Sequence, residues 1–108
     1  MPKIPGWYKE QRKIYPKVFE AYEVLGEACQ KAGPLDARTR ALVKLALAVG
    51  AGLEGGVHSH ARRSLEAGAT ADDCRHVVLL GTTTLGFPAM MAALSWVEDV
   101  LKEERRPG

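Results

Sequence analysis

Apolar side chains return every three to four residues along most of this chain, and nowhere do they alternate convincingly in the two-residue rhythm of a strand. That periodicity confines the fold to helices, each burying one stripe. Val18, Tyr22, Leu25 and Cys29 fall at i, i+4, i+7 and i+11 and predict a helix over residues 17–31, closed by Gly33 and Pro34. Asp36 is the expected N-cap of the next helix, whose stripe is Leu42, Leu45, Ala46, Val49 and Leu53; as the most apolar segment, it is expected at the centre. Glycines at 50, 52, 55 and 56 then interrupt helix propensity, so a short helix is expected only over residues 57–67, stopped by Gly68. Thr70, followed by Asp72 and Asp73, reads as another helix start favoured by the dipole, with Cys74, Val77, Val78 and Gly81 facing inward. The β-branched and glycine-rich stretch 81–88 is expected to end that helix. Phe87 and Pro88 open the last one, in which Met90, Leu94, Val97 and Leu101 repeat the i, i+4, i+7, i+11 spacing. A short, weakly patterned helix over residues 7–15 is bracketed by Pro5 and Pro16.

With 108 residues this is one domain's worth of chain. The expected architecture is a small all-α bundle of five to six helices over residues 1–108, with residues 1–16 as an N-terminal arm and 102–108 as a solvated tail. Fifteen basic against thirteen acidic side chains leave a net charge of +2, spread too evenly for a dedicated nucleic-acid or anionic-membrane binder. The N-terminal cations Lys3, Lys9, Arg12, Lys13 and Lys17 stand around Trp7, Tyr8 and Tyr15 without a repeated stacking motif, and read as a subunit contact or a solvated arm. The longest apolar run, residues 41–53, is shorter than a bilayer span and is broken by Lys44. No apolar secretory run opens the chain, so a cytoplasmic protein is expected. In that reducing compartment Cys29 and Cys74 are expected to be buried thiols, not a disulfide.

Chemistry concentrates in residues 52–68, beside the most apolar helix. If this stretch is helical, His58 and His60 project about 200° apart and only one faces the interior. Glu54, His58 and Arg62 share one side at i, i+4 spacing; His60, Ser64 and the gap left by Gly56 share the other. An inward His60 is suited to general acid or base work, because imidazole titrates nearest neutrality; the alternative is a merely hydrogen-bonded histidine. Arg62 and Arg63 are able to clamp a carboxylate, or else form a solvated face. His58, His60, His76 and Glu54 are the available metal donors, but they lack a recognised ligand spacing, and no metal is expected. The chain has no C-x-x-C pair, no phosphate-binding P-loop and no nucleophile elbow.

Three segments in order, Leu35-Asp-Ala-Arg-Thr-Arg-Ala-Leu-Val43, His60-Ala-Arg-Arg-Ser-Leu-Glu-Ala-Gly-Ala-Thr70 and Leu79-Leu80 with Gly86-Phe-Pro-Ala-Met-Met-Ala-Ala-Leu94, resemble the carboxymuconolactone decarboxylase family over residues 33–101. The resemblance implies the helical, alkylhydroperoxidase D-like fold. In the redox branch a C-x-x-C pair precedes a histidine, with a glutamate one helix earlier; here Leu53 and Gly56 stand at the cysteine positions, His60 at the histidine and Ala41 at the glutamate. A thiol-peroxidase cycle therefore lacks its nucleophile. The decarboxylase branch also lacks the cysteines and keeps the histidine that His60 matches. It implies cofactor-free acid/base chemistry on a small organic acid or lactone, with His60 and His58 as catalytic candidates and Arg62 and Glu54 as substrate-binding ones. The resemblance further implies a homo-oligomer, a trimer or hexamer. Trp7, Phe87, Met90, Met91 and Trp96 are its candidate contacts, or else ordinary core. Two other functions stay open: alkylhydroperoxidase or peroxiredoxin-type activity, and non-catalytic binding of a small ligand by an oligomer.

Overall fold

The computed structural model of the chain describes residues 6–104; Lys3, Pro5 and residues 105–108 of the expected tail lie outside the described residues. Among the described residues there are six helices and one single-turn helix, and no strand. The helices are α1 (Gly6–Ile14), α2 (Pro16–Lys31), α3 (Ala37–Gly50), α4 (Glu54–Glu66), α5 (Ala71–Leu80), the single-turn α6 (Thr82–Leu85) and α7 (Phe87–Glu104). This is the all-α bundle that the periodicity predicts. The chain forms two compact units, dividing between Leu35 and Asp36.

The first unit pairs α1 with α2. Pro16 opens α2 at a position where its missing N–H costs nothing. The Tyr8 ring meets Phe19 edge-on with centroids 5.1 Å apart, and Arg12 forks onto Glu23 at 3.0 and 3.1 Å. The Tyr8 hydroxyl donates to the same carboxylate. These donors, the arginine above all, hold the Glu23 carboxyl below its ordinary range. Phe19 and Glu23 thus meet α1, while the apolar stripe of α2 points elsewhere. Val18, Tyr22, Leu25 and Cys29 are all exposed, and the hairpin buries none of its own residues. Cys29 is therefore not the buried thiol that its place on an apolar stripe suggested, because that stripe has no partner within the hairpin.

The second unit has α3 at its centre, packed against α4, α5 and α7. Asp36 caps it as expected: its carboxylate accepts from the Thr39 N–H at 2.8 Å. Leu45, Val57, Ala61, Cys74, Val78, Val97 and Val100 are wholly buried, each valine or leucine contributing roughly 1.5–3 kcal/mol by leaving water. Leu53 falls outside this core. It is exposed because it is the extended N-cap residue of α4, not a member of the α3 stripe.

α4 begins at Glu54, three residues before the predicted start at Val57. Gly52, at φ 67, makes the left-handed turn between the helices. Gly55 and Gly56 then fall in the first turn of α4, and at Gly56 the missing side chain has a use. A Cβ there would meet the Cβ atoms of Ala48 at 3.2 Å and Leu53 at 3.3 Å. The bare backbone lets α4 approach α3 closely. Gly68, at φ 100, follows the end of α4, and Thr70 with Asp73 forms a full capping box on α5. Arg38 reaches from α3 to Asp73 at 2.7 Å, and Arg75 joins α5 to α7 through Glu98 at 2.6 Å.

Of the candidate contact residues, Met90 belongs to the core and Trp96 packs partly against it, whereas Trp7, Phe87 and Met91 are exposed. The expected tail begins inside α7, where Glu103 is engaged by Arg62.

Candidate functional site

The chemistry-bearing side chains of residues 52–68 divide between the two sides of α4, as the spacing predicts. On one side, His58 Nε2 lies 3.2 Å from Asp99 Oδ2. One turn on, Arg62 forks onto Glu103 at 3.2–3.3 Å. Asp99 and Glu103 are themselves one turn apart on α7, so two side-chain bridges run in register between the helices. Glu54, one turn before His58, is exposed and has no ion-pair partner among the described residues. The structure thus brings His58 and Arg62 together, but commits both to the carboxylates of α7.

His60 lies on the other side of α4 and is half-buried. No hydrogen bond to its ring occurs among the described residues; its backbone carbonyl accepts from the buried Ser64 hydroxyl at 2.7 Å. Burial pushes the imidazole pKa down, and the positive charges of Arg63 and Lys44 push it further in the same direction. At neutral pH the resting ring is therefore uncharged and able to accept a proton.

Arg63 stands one turn beyond His60 on α4, and Lys44 comes from α3. Neither has a carboxylate partner among the described residues, whereas Arg12, Arg38, Arg62 and Arg75 all do. The sequence flagged Arg63 as half of a carboxylate clamp, but not Lys44 as its neighbour. The available signal was the solitary charge within the apolar run 41–53. Only the return of the chain at Gly52 brings it to His60.

Ala41 is half-buried on α3, Leu53 is exposed at the turn, and Gly56 has close contacts waiting for any added carbon. Cys74 is wholly buried, and burial raises its thiol pKa, which disfavours the nucleophilic thiolate. Among the described residues no group of three or more His, Cys, Asp or Glu side chains converges to hold a metal. Elsewhere in the second unit, an open groove of about 760 Å³ is lined mainly by Leu42, Val43, Leu47, Leu80 and Leu85. It contains no charged side chain and His60 does not line it. No described helix is long and apolar enough to cross a membrane.

The sequence profile of the carboxymuconolactone decarboxylase family matches residues 16–99. An uncharacterized protein of Haemophilus influenzae is 41% identical over 57 residues, which cover 53% of this chain and 50% of that protein. The 4-carboxymuconolactone decarboxylase of Acinetobacter baylyi is 32% identical over 78 residues, covering 72% of this chain and 58% of the relative. The chain thus spans little more than half the length of these curated relatives. No solved structure matches.

Proposed function

Because the chain belongs to the carboxymuconolactone decarboxylase family, we propose that it performs cofactor-free decarboxylation of a small organic acid or lactone, with His60 handling the proton. The observation that carries this reading is the half-buried His60 ring under the charges of Lys44 and Arg63, two cations without a carboxylate partner among the described residues. In such a reaction the bond to the substrate's carboxylate breaks and carbon dioxide leaves. The electron pair passes into a dienolate of the lactone, and one proton is added to carbon. A partly desolvated wall favours the step in which charge spreads, and the imidazole, once protonated, supplies the proton. His58 and Arg62 enter this reading as the groups that fix α4 against α7. For either to touch the substrate's acid it would first have to release Asp99 or Glu103.

The name of the Acinetobacter baylyi relative supplies the substrate to try, 4-carboxymuconolactone. Carbon dioxide release and ultraviolet loss of the lactone are measured for the wild type and His60→Ala, with thermal melting to check the fold. The expected result is turnover in the wild type and none in a folded variant; unchanged turnover in the variant removes the role of His60.

The proposal extends to assembly. The second unit exposes Leu47, Leu80 and Phe87 at 61–63%, apolar surface that a homo-oligomer, a trimer or hexamer, would cover. A binding role without chemistry is the second reading, favoured by the apolar groove, whose size suits a small ligand. Stabilisation by a ligand without carbon dioxide release would select it. The peroxidase reading would have to rest on the exposed Cys29 alone, since Cys74 has no accessible surface and a raised thiol pKa.

A further inference from the structure

We propose that Lys44 and Arg63, together with the imidazole of His60, form the seat for the substrate's carboxylate, and that filling the seat loads a proton onto His60. The inference rests on the reading of His60 as the proton-handling group and adds the residues that select and hold the acid.

The geometry follows from the packing of α3 on α4. The short connection through Gly52 turns the chain back, so the two helices run antiparallel, and Gly56 packs close against Ala48. One turn further from the connection, α3 presents Lys44 and α4 presents His60. Arg63 is the next turn of α4. The register that Gly56 sets between the two helices thus brings the charges of Lys44 and Arg63 within electrostatic range of the His60 ring.

Among the described residues the surrounding charges leave that cluster without a counter-ion. α3 contains Arg38, Arg40 and Lys44 and no acid. On α4 the acids are Glu54 and Glu66, near its two ends, and neither is among the charges acting on His60. On α7 Asp99 and Glu103 are taken by His58 and Arg62, and Glu98 by Arg75. On α5 Asp72 and Asp73 are taken by Arg75 and Arg38, and His76 is exposed. A carboxylate from outside supplies the missing negative charge, and charge-assisted hydrogen bonds to lysine and arginine are the strong kind.

The second half of the proposal is linkage. In the resting protein Lys44 and Arg63 oppose protonation of His60. A bound carboxylate cancels that field and adds an attractive one, so the ring takes one proton from solvent as the anion binds. The site is then a base when empty and an acid when filled, the state required at the end of a decarboxylation.

The test uses a lactone acid without the double bond that would accept the electron pair, γ-carboxy-γ-butyrolactone, and its neutral methyl ester. The His60 ring is titrated by NMR with and without each probe in the wild type, Lys44→Gln and Arg63→Gln. Both substituted side chains are exposed, and melting checks that the variants fold. The acid is expected to raise the His60 midpoint and the ester to leave it in place. Each substitution is expected to weaken the acid roughly tenfold and to raise the midpoint of the empty protein. An unmoved midpoint with the acid, an equal response to the ester, or variants that hold the acid as well as the wild type would overturn the seat. The lactone assay is scored separately. Turnover lost in His60→Ala with no response to the acid probe leaves the reaction standing and removes the seat; a responding seat with no carbon dioxide release does the reverse.

Discussion

The hairpin of α1 and α2 and the bundle of α3 to α7 are built from sequence of the same kind, amphipathic helices with apolar residues at i, i+4 and i+7, and they use it differently. In α3 and α7 the stripe becomes core: Leu45 and Val97 have no accessible surface. In α2 the same spacing leaves Val18 at 65% and Leu25 at 61% exposed, and the hairpin is joined by one ring pair and an arginine fork that remain wet. Exposed ion pairs stabilise little. A hydrophobic stripe therefore specifies that a helix forms and which way it faces, but not what covers it.

That contrast predicts unequal responses to substitution. Leu45→Ala is expected to cost about 2–5 kcal/mol in chemical denaturation, a buried leucine at the centre of the bundle. A cost below about 1 kcal/mol would break the claim that α3 is central. Acid separates the units next. The hairpin has no histidine, whereas the bundle holds His60 with its folded pKa depressed. The unfolded chain then binds the proton first, so this contribution to stability is complete above the unfolded value near 6.5 and declines as pH falls below it. Denaturation midpoints followed from pH 7.5 to 5, as a roughly chosen window around that value, should fall more steeply for the wild type than for His60→Gln. Equal slopes would mean that the ring is not desolvated. Asp36, Asp73 and Glu23, all held below their ordinary values, lose their contributions only at lower pH, as it falls through those depressed values. The smallest effect belongs to Leu25→Ser, expected to change monomer stability by less than about 0.5 kcal/mol. A larger loss, with a melting temperature that depends on concentration and a smaller mass by light scattering, would show that another copy covers the α2 stripe.

The parts of the fold legible in advance were those written in local chemistry. Asp36 and the Thr70 box are short-range caps, Gly68 is a stop, and the α7 stripe buries Met90, Val97 and Leu101. The start of α4 was misplaced because Gly55 and Gly56 look like helix breakers until their use is seen: the first turn tolerates them, and the contact with Ala48 needs one. At the site, the 200° divergence of His58 and His60 was readable from spacing alone. The bridges that engage His58 and Arg62 were not, since Asp99 and Glu103 lie some forty residues downstream. Lys44 escaped for the same reason, because a contact across two helices leaves no local pattern.

The paired bridges from His58 to Asp99 and from Arg62 to Glu103 act as a torsional detent. A helix rotates as a rigid screw, so two bridges at successive turns of one flank add to the buried Val57 and Ala61 in setting the azimuth of the opposite flank, which carries His60. Part of the aim of the imidazole thereby comes from contacts on the far flank, where Asp99 and Glu103 are open to solvent at 55% and 38%. Dissolved salt screens such pairs while leaving an apolar interior untouched. Ionic strength therefore loosens only the solvent-facing part of that alignment, in a molecule whose apolar interior stays intact.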